Sequence, residues 1–493
     1  MPVKSSRILT MSLALGGLAA CQHLAPLRSD AGQVTPSCPG DATRTESTLA
    51  LADGPLGYTA CAGTIRITDR QDGALADLFY TAYLLPHDKA GQRPIAFVWN
   101  GGPGADSRLL QFDALGPRTL ENGRMIDNAD SPLPAADLVF LDPAGTGFSR
   151  ASSDEAARTL YSTTGDIAAT AQFIRRFLAS QGRTGSPLYL VGESFGTWRA
   201  SAVAEALVQV GQPVAGVALI SGGIPMGEER DRALMRALTL PNRTATALAL
   251  GKLDARLSAD PASALASSEQ WAREVWYPAL AAPQSLTAPQ RQAVVTGLAH
   301  YMGIAPGRID TATLWVSPRD FRQGLLADEG KTLGIFDMRK TVSKEEKSGS
   351  HAVIAYYRQR LGYRDGKYAG IEVPELPVGG NWQYDQAPIT KESLSRAMAG
   401  EGPPSPSQPW VLRALELAPA MRVFVATGLY DSLNGCAANS EAANQFAPPL
   451  AKRVDTHCYR GGHMMYEEPT EKVQFANDLK SFLSNAGNVR NVE

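Results

Sequence analysis

Gly192-Glu193-Ser194-Phe195-Gly196 lies between an apolar run, Ser186-Pro-Leu-Tyr-Leu-Val191, and an apolar-periodic segment that begins near Thr197. A strand, a Gly-x-Ser-x-Gly turn and then a helix is the context a nucleophile elbow requires. Small residues flank the serine because the chain must reverse sharply and leave the hydroxyl above the sheet edge. The chain has 46 glycines, so the five-residue pattern alone is weak and its weight comes from partners elsewhere.

An activated serine needs a base to take its proton and an acid to orient that base. In the order Ser…Asp…His both lie downstream, on loops after later strands. Met421-Arg-Val-Phe-Val-Ala-Thr427 reads as a buried strand, and Gly428-Leu-Tyr-Asp431 leaves its end. Arg453-Val-Asp-Thr-His-Cys458 reads as the next strand, followed by Gly461-Gly-His463-Met-Met-Tyr466. These positions nominate Ser194 as nucleophile, Asp431 as orienting acid and His463 as general base. An oxyanion site is expected upstream, where strand Pro94-Ile-Ala-Phe-Val-Trp99 runs into Asn100-Gly-Gly-Pro-Gly104. A Gly-Gly turn lets backbone approach a reacting carbonyl, so the amides of Gly102 and Phe195 are the expected donors.

Together, Asn100-Gly-Gly-Pro-Gly104, Asp142-Pro-Ala-Gly-Thr-Gly-Phe-Ser149, Gly-Glu-Ser-Phe-Gly, Gly-Leu-Tyr-Asp and Gly-Gly-His-Met resemble the signature set of serine carboxypeptidases, the S10 peptidases. The resemblance runs from about Gly57 to about Phe482, and Gly-His-Met-Met-Tyr and Asp328-Glu-Gly-Lys-Thr-Leu-Gly334 look like a bacterial branch. It implies an α/β-hydrolase that releases C-terminal residues from peptides at acid pH, without a cofactor. It also implies that Asn100 and Glu193 hold the substrate's terminal carboxylate. Two carboxylates share a site only with a proton between them, so peptide binding should weaken as pH rises while ester cleavage suffers less. Two positions depart from the pattern. Many members place a Trp two residues before the Asn, where this chain has Val98, with Trp99 next to Asn100. A second carboxylate-binding Glu usually precedes Leu-Gly-Pro, where this chain has Ala114, with Asp113 one residue early. On an α-helix that offset is a rotation of about 100°. An esterase or acyltransferase using the same triad therefore stays open, as does a non-enzymatic surface lipoprotein.

Lys4 and Arg7 followed by an apolar stretch from Ile8 to Ala20 read as a secretory signal, too short for a membrane span. Leu18-Ala19-Ala20-Cys21 resembles a lipobox, which implies lipidation at Cys21; Gln22 after it suggests outer-membrane sorting on the periplasmic side. Cys38, Cys61, Cys436 and Cys458 remain, an even set with three possible pairings. Cys436–Cys458 is favoured because it would tie the loops carrying Asp431 and His463, leaving Cys38–Cys61 to pin the N-terminal arm. No Cys or His spacing suits a metal.

The chain has 493 residues, a length that suggests two or three domains. A net charge of −2 offers no electrostatic footprint for nucleic acid. Residues 1–20 are expected as signal and 21–50 as a Ser/Thr/Pro/Gly-rich tether. Tyr58–Thr68 and Leu75–Leu85 read as an antiparallel hairpin that opens the core, 51–225. Strands near Pro94–Trp99, Asp137–Leu141, Pro187–Val191 and Val214–Ile220 alternate with helical patterns such as Asp166–Ala179, which indicates an α/β sheet. Between 226 and 420 helical patterns dominate, and the sheet resumes at 421–486, so that block is expected to be an inserted helical cap. Its Trp271, Trp276, Tyr277, Trp315, Trp382 and Tyr384 are expected mainly in the cap core.

Overall fold

A computed structural model describes residues 34–86, 93–226, 231–342, 350–384 and 408–484. The expected signal, Cys21 and the first part of the tether, to residue 33, lie outside these residues.

Twelve strands form in chain order: β1 Thr43–Leu51, β2 Gly54–Thr68, β3 Ala74–Leu84, β4 Ile95–Trp99, β5 Arg118–Glu121, β6 Arg124–Asp127, β7 Asp137–Leu141, β8 Arg150–Ala151, β9 Leu188–Glu193, β10 Gly216–Ile220, β11 Arg422–Gly428 and β12 Val454–Tyr459. The main sheet runs β1-β2-β3-β7-β4-β9-β10-β11-β12, with β8 beside β3; β5 and β6 make a separate ribbon. From β7 to β12 neighbours are parallel, while β1, β2, β3 and β7 pair antiparallel. The excursion that seats β4 between β7 and β9 is the strand order of the α/β-hydrolase fold, with the hairpin β2-β3 at its start as expected.

The inner parallel strands are buried and largely apolar because both faces are covered, whereas the edge strand β12 carries Asp455, Thr456 and His457. Tyr80, Phe97, Leu190, Leu219 and Val425 point to one side, where helices Thr163–Ser180, Gly196–Gln209 and Trp410–Leu417 pack. Phe79, Val98, Val191, Ile220 and Phe424 point to the other, against helix Pro469–Ser484 and the segment from Val353 to Tyr368. The inward stripe of Thr163–Ser180 is centred on Phe173 and Phe177, with Ile167 and Ala171 at its margin.

Two expectations about boundaries change. Thr43–Leu51, placed in the tether, is a sheet strand along β2. It is an edge strand with only Leu49 buried, and Thr, Arg, Glu and Ser fill the positions from 43 to 48 and hide the strand signal. The block 226–420 is not a single cap. Residues 237–338 contribute a helical core of their own around Trp276, Leu298 and Phe321. By contrast, Val353–Tyr368 and Trp410–Leu417 pack directly on the two sheet faces. Helical periodicity shows which side of a helix is apolar but not which partner covers it.

Both cysteine pairs are bonded, Cys38–Cys61 and Cys436–Cys458. Disulfides belong to oxidising surroundings, which fits an extracellular or periplasmic location. No described helix is long and apolar enough to cross a membrane.

Candidate active site

β9 ends at Glu193, and the chain turns through Ser194 at φ 58° into helix Gly196–Gln209. The tight turn leaves no room for a side chain at Gly192, where a Cβ would lie 2.0 Å from the Gly196 carbonyl oxygen. Ser194 N–H donates to the Ile220 carbonyl (2.8 Å), and the Ser194 carbonyl accepts from Thr197 N–H and Thr197 Oγ1 (3.0 and 2.9 Å). Trp99, fully buried beneath the turn, donates from Nε1 to the Gly196 carbonyl (3.0 Å). The shifted tryptophan thus braces the elbow.

Asp431 follows β11 and His463 follows β12, so the parallel sheet delivers them to the same edge as Ser194. His463 Nδ1 and Asp431 Oδ2 are 2.8 Å apart, and both side chains are buried. Asn434 Nδ2 also donates to Asp431 Oδ2 (3.1 Å), and Leu433 N–H donates to Oδ1 (2.8 Å). The acid is therefore fixed from both oxygens. Burial alone would lower the His463 pKa, but the charge and hydrogen bond of Asp431, aided by Glu193, carry it above the usual imidazole value. His463 Nε2 is buried and has no hydrogen-bond partner, so it is not bonded to the Ser194 hydroxyl in this state. Catalytic hydrogen bonds are commonly loose until a substrate closes them.

The Asn100–Gly104 loop packs against the elbow. A Cβ at Gly101 would stand 2.5 Å from Phe195 N and 2.9 Å from Ser194 Cβ. Gly102 follows at φ 105°, a left-handed conformation that a glycine tolerates, next to the Gly101 position that touches the elbow. Arg199 secures this arrangement: its Nε donates to Asp166 (2.6 Å) and its Nη1 to the Asn100 carbonyl (3.0 Å), with the guanidinium over the Phe195 ring.

Asn100 Nδ2 donates to Glu193 Oε1 (2.8 Å), and Tyr466 Oη donates to Oε2 (2.5 Å). Burial raises the Glu193 pKa; the His463 charge and the hydrogen bonds from Tyr466 and Asn100 offset only part of that rise. The result is a buried carboxyl group, biased toward its protonated form, one residue from the serine.

Asp113 is a correction to simple helical counting. Leu110–Leu115 is wound as a π-helix, so the 100° offset of an α-helix does not apply. Ala114 enters the core while Asp113 is half-buried and close enough to feel the Glu193 charge. Desolvation, reinforced by Glu467 and Glu193 and opposed by Lys472 and Arg108, pushes its pKa to about 7.

Sequence reasoning missed Tyr466, Asn434 and Arg199. Tyr466 falls inside a quoted motif but had no assigned role, and a lone Asn or Arg carries no local signature. Of the aromatics expected in the cap core, Trp276 is buried there and Trp271, Tyr277 and Trp315 pack against it. Trp382 and Tyr384 instead flank Phe195, at ring distances of 5.3 and 6.4 Å.

Residues 53–215 match the model of the serine carboxypeptidase family, peptidase S10. The serine carboxypeptidase match includes the Asn100 loop and the elbow and ends before Asp431 and His463. No curated protein matches the chain significantly by sequence. Similar solved structures include a proline iminopeptidase from Mycobacterium smegmatis, at 11% identity and TM-score 0.33, covering 90% of this chain and 98% of that one. A lipase in its open form has 14% identity and TM-score 0.35, covering 87% and 99%. A thermophilic esterase from Thermogutta terrifontis has 12% identity and TM-score 0.35, covering 85% and 99%.

Proposed function

We propose that this serine carboxypeptidase-family hydrolase removes single C-terminal residues from peptides. The observation that carries the reading is the buried Asn100–Glu193–Tyr466 cluster beside the elbow. A protonated carboxyl and an amide can hold a terminal carboxylate, whereas a simple ester substrate makes no use of them.

In this reading Ser194 attacks the last peptide carbonyl while His463 Nε2 takes the hydroxyl proton and Asp431 stabilises the imidazolium. The amides of Gly102 and Phe195 hold the oxyanion. His463 returns the proton to the leaving amine, the terminal residue departs, and water, deprotonated by His463, resolves the acyl-enzyme. Glu193 must hold its proton to accept the substrate carboxylate, so activity is favoured on the acid side. A lipid on Cys21 would tether the enzyme to the periplasmic face of a bacterial envelope, with the bonded cysteines suited to that compartment.

The test compares an N-blocked dipeptide with its C-terminal amide at mildly acid pH, with Ser194→Ala as control. Cleavage of the free acid alone, lost in the variant, supports the proposal. Cleavage of neither, with ester hydrolysis intact, would replace it with an esterase.

A further inference from the structure

β10 ends at Ile220, which pairs with Glu193 of β9 on one side and with Ala426 of β11 on the other. The next residue, Ser221, therefore stands level with Ser194 at the sheet edge, between the strand that leads to the proposed nucleophile and the one that leads to the proposed acid. It is fully buried, and its φ of 49° lies in the left-handed region that residues with a side chain rarely occupy. A glycine would sit there with less strain. A strained serine at the end of a central strand points to a use for its hydroxyl.

The polar groups of Ser221 reach the acid and the base. Its Oγ donates to the carbonyl of His463. Its carbonyl accepts from Asn434 Nδ2 at 2.9 Å, the same amide that holds Asp431 Oδ2. Its N–H donates to the Ala426 carbonyl at 2.8 Å, in the strand that precedes Asp431. The residues on either side reach the nucleophile. The Ile220 carbonyl accepts the Ser194 N–H, and a Cβ on Gly222 would press on Thr197 and stand 2.9 Å from the Ser194 carbonyl oxygen.

Resting on the triad proposed above, we propose that Ser221 is a positioning residue that holds His463 in register with Ser194 and Asp431. His463 is fixed at three points: its ring by Asp431, its N–H by the Phe336 carbonyl, and its carbonyl by Ser221 Oγ. Of these described hydrogen bonds, the one from Ser221 ties the His463 backbone to the strand beside the elbow. Without the hydroxyl the His463 carbonyl is buried without that donor, and the loop that carries the imidazole is free to drift. His463 Nε2 is not bonded to Ser194 in this state, so drift lengthens a gap that must close for proton transfer.

A serine with a purely structural role would satisfy the same carbonyl, and the experiment separates the two. It measures kcat and KM for an activated ester and for an N-blocked dipeptide from pH 5 to pH 8, with thermal unfolding alongside, in the wild type, Ser221→Gly and Ser221→Ala. Ser221→Gly removes the hydroxyl and relieves the left-handed backbone together, so its Tm should stay near that of the wild type. Its kcat should fall about tenfold or more, with KM within about twofold. The acid limb of kcat should also move to lower pH, because a looser His463–Asp431 bond weakens the rise in imidazole pKa that Asp431 and Glu193 cause. Ser221→Ala should lose as much kcat and also lower Tm, since it keeps the strain and loses the bond. An unchanged kcat in Ser221→Gly, or a loss with the acid limb unmoved, would overturn the assignment. If the wild type cleaves the ester but not the peptide, the carboxypeptidase reading falls and the ester rates still decide this one. Hydrolysis of neither substrate would overturn the triad and this assignment with it.

Discussion

Glu193 has two hydrogen-bond donors, and they make separable predictions. Tyr466 favours the ionised carboxylate by donating to Oε2, so removing its hydroxyl raises the Glu193 pKa further. Tyr466→Phe should move the alkaline rise of KM for a free-acid peptide to higher pH, which a pH–KM profile reads directly. Asn100→Ala should raise that KM about tenfold and change ester KM far less, because it removes one hydrogen bond to a charged group. Gly101→Ala should abolish both activities, since its Cβ would press on Phe195 N and Ser194. Ser194→Ala should cost about 10⁴-fold or more in kcat with the fold intact, read by turnover and thermal unfolding. The proposed nucleophile, acid and base, Ser194, Asp431 and His463, could be nominated from sequence because each follows a strand in the order the proposed chemistry requires. Tyr466 and Asn434 could not, because a phenol or an amide becomes meaningful only when a carboxylate is seen opposite it.

Among elements, the Cys436–Cys458 bridge joins the start of helix Cys436–Asn444 to β12, between the loops that carry Asp431 and His463. Its loop spans a sequence separation of 22, and closing such a loop stabilises by about 3 kcal/mol. The double Cys436→Ala, Cys458→Ala variant should unfold at correspondingly lower denaturant, measured with a triad-independent probe such as far-ultraviolet dichroism. The segment Gly334–Arg339 adds a second tie, with the Phe336 carbonyl accepting from His463 N–H at 2.5 Å and Met338 N–H donating to the Tyr430 carbonyl at 3.0 Å. Arg339 pairs with Asp337 and Glu468 and lies over the Tyr430 ring. The core strands were readable, since apolar runs such as Ile95–Trp99 and Asp137–Leu141 match them closely, whereas the polar edge strand β1 and the short β5, β6 and β8 were not. The π-winding of Leu110–Leu115 was not, because an amphipathic count presumes 3.6 residues per turn.

Across the whole molecule, acid pH should stabilise the fold. Burial raises Asp113 and Asp142 to about 7 from a reference of 3.8, and raises Glu193 and Asp166 as well. In that interval the native state binds more protons than the unfolded chain, so stability falls as pH rises. His463 acts in the same direction, because its raised native pKa gives stability that is lost as pH climbs through it. The lowered carboxyls Asp254, Asp310 and Glu329 oppose this only below their unfolded values, on the acid side of the interval. Tm should therefore rise on going from pH 8 to pH 5, and Asp113→Asn should flatten that slope. The α/β-hydrolase architecture was legible from strand-helix alternation and motif order. The partition of 226–420 was not, because its helices are alike in pattern and differ only in which surface they meet.

In the proposed reading the serine, acid and base stand at 194, 431 and 463, and β4, which leads into Asn100, reaches β11 only through β9 and β10. A chain emerging in order from its amino end has an elbow long before it has a proton acceptor. During synthesis, or passage through a narrow export channel, such a hydrolase is chemically silent. On that proposed triad, activity would begin only with the addition of the last strand to the sheet, a built-in delay that needs no separate inhibitor.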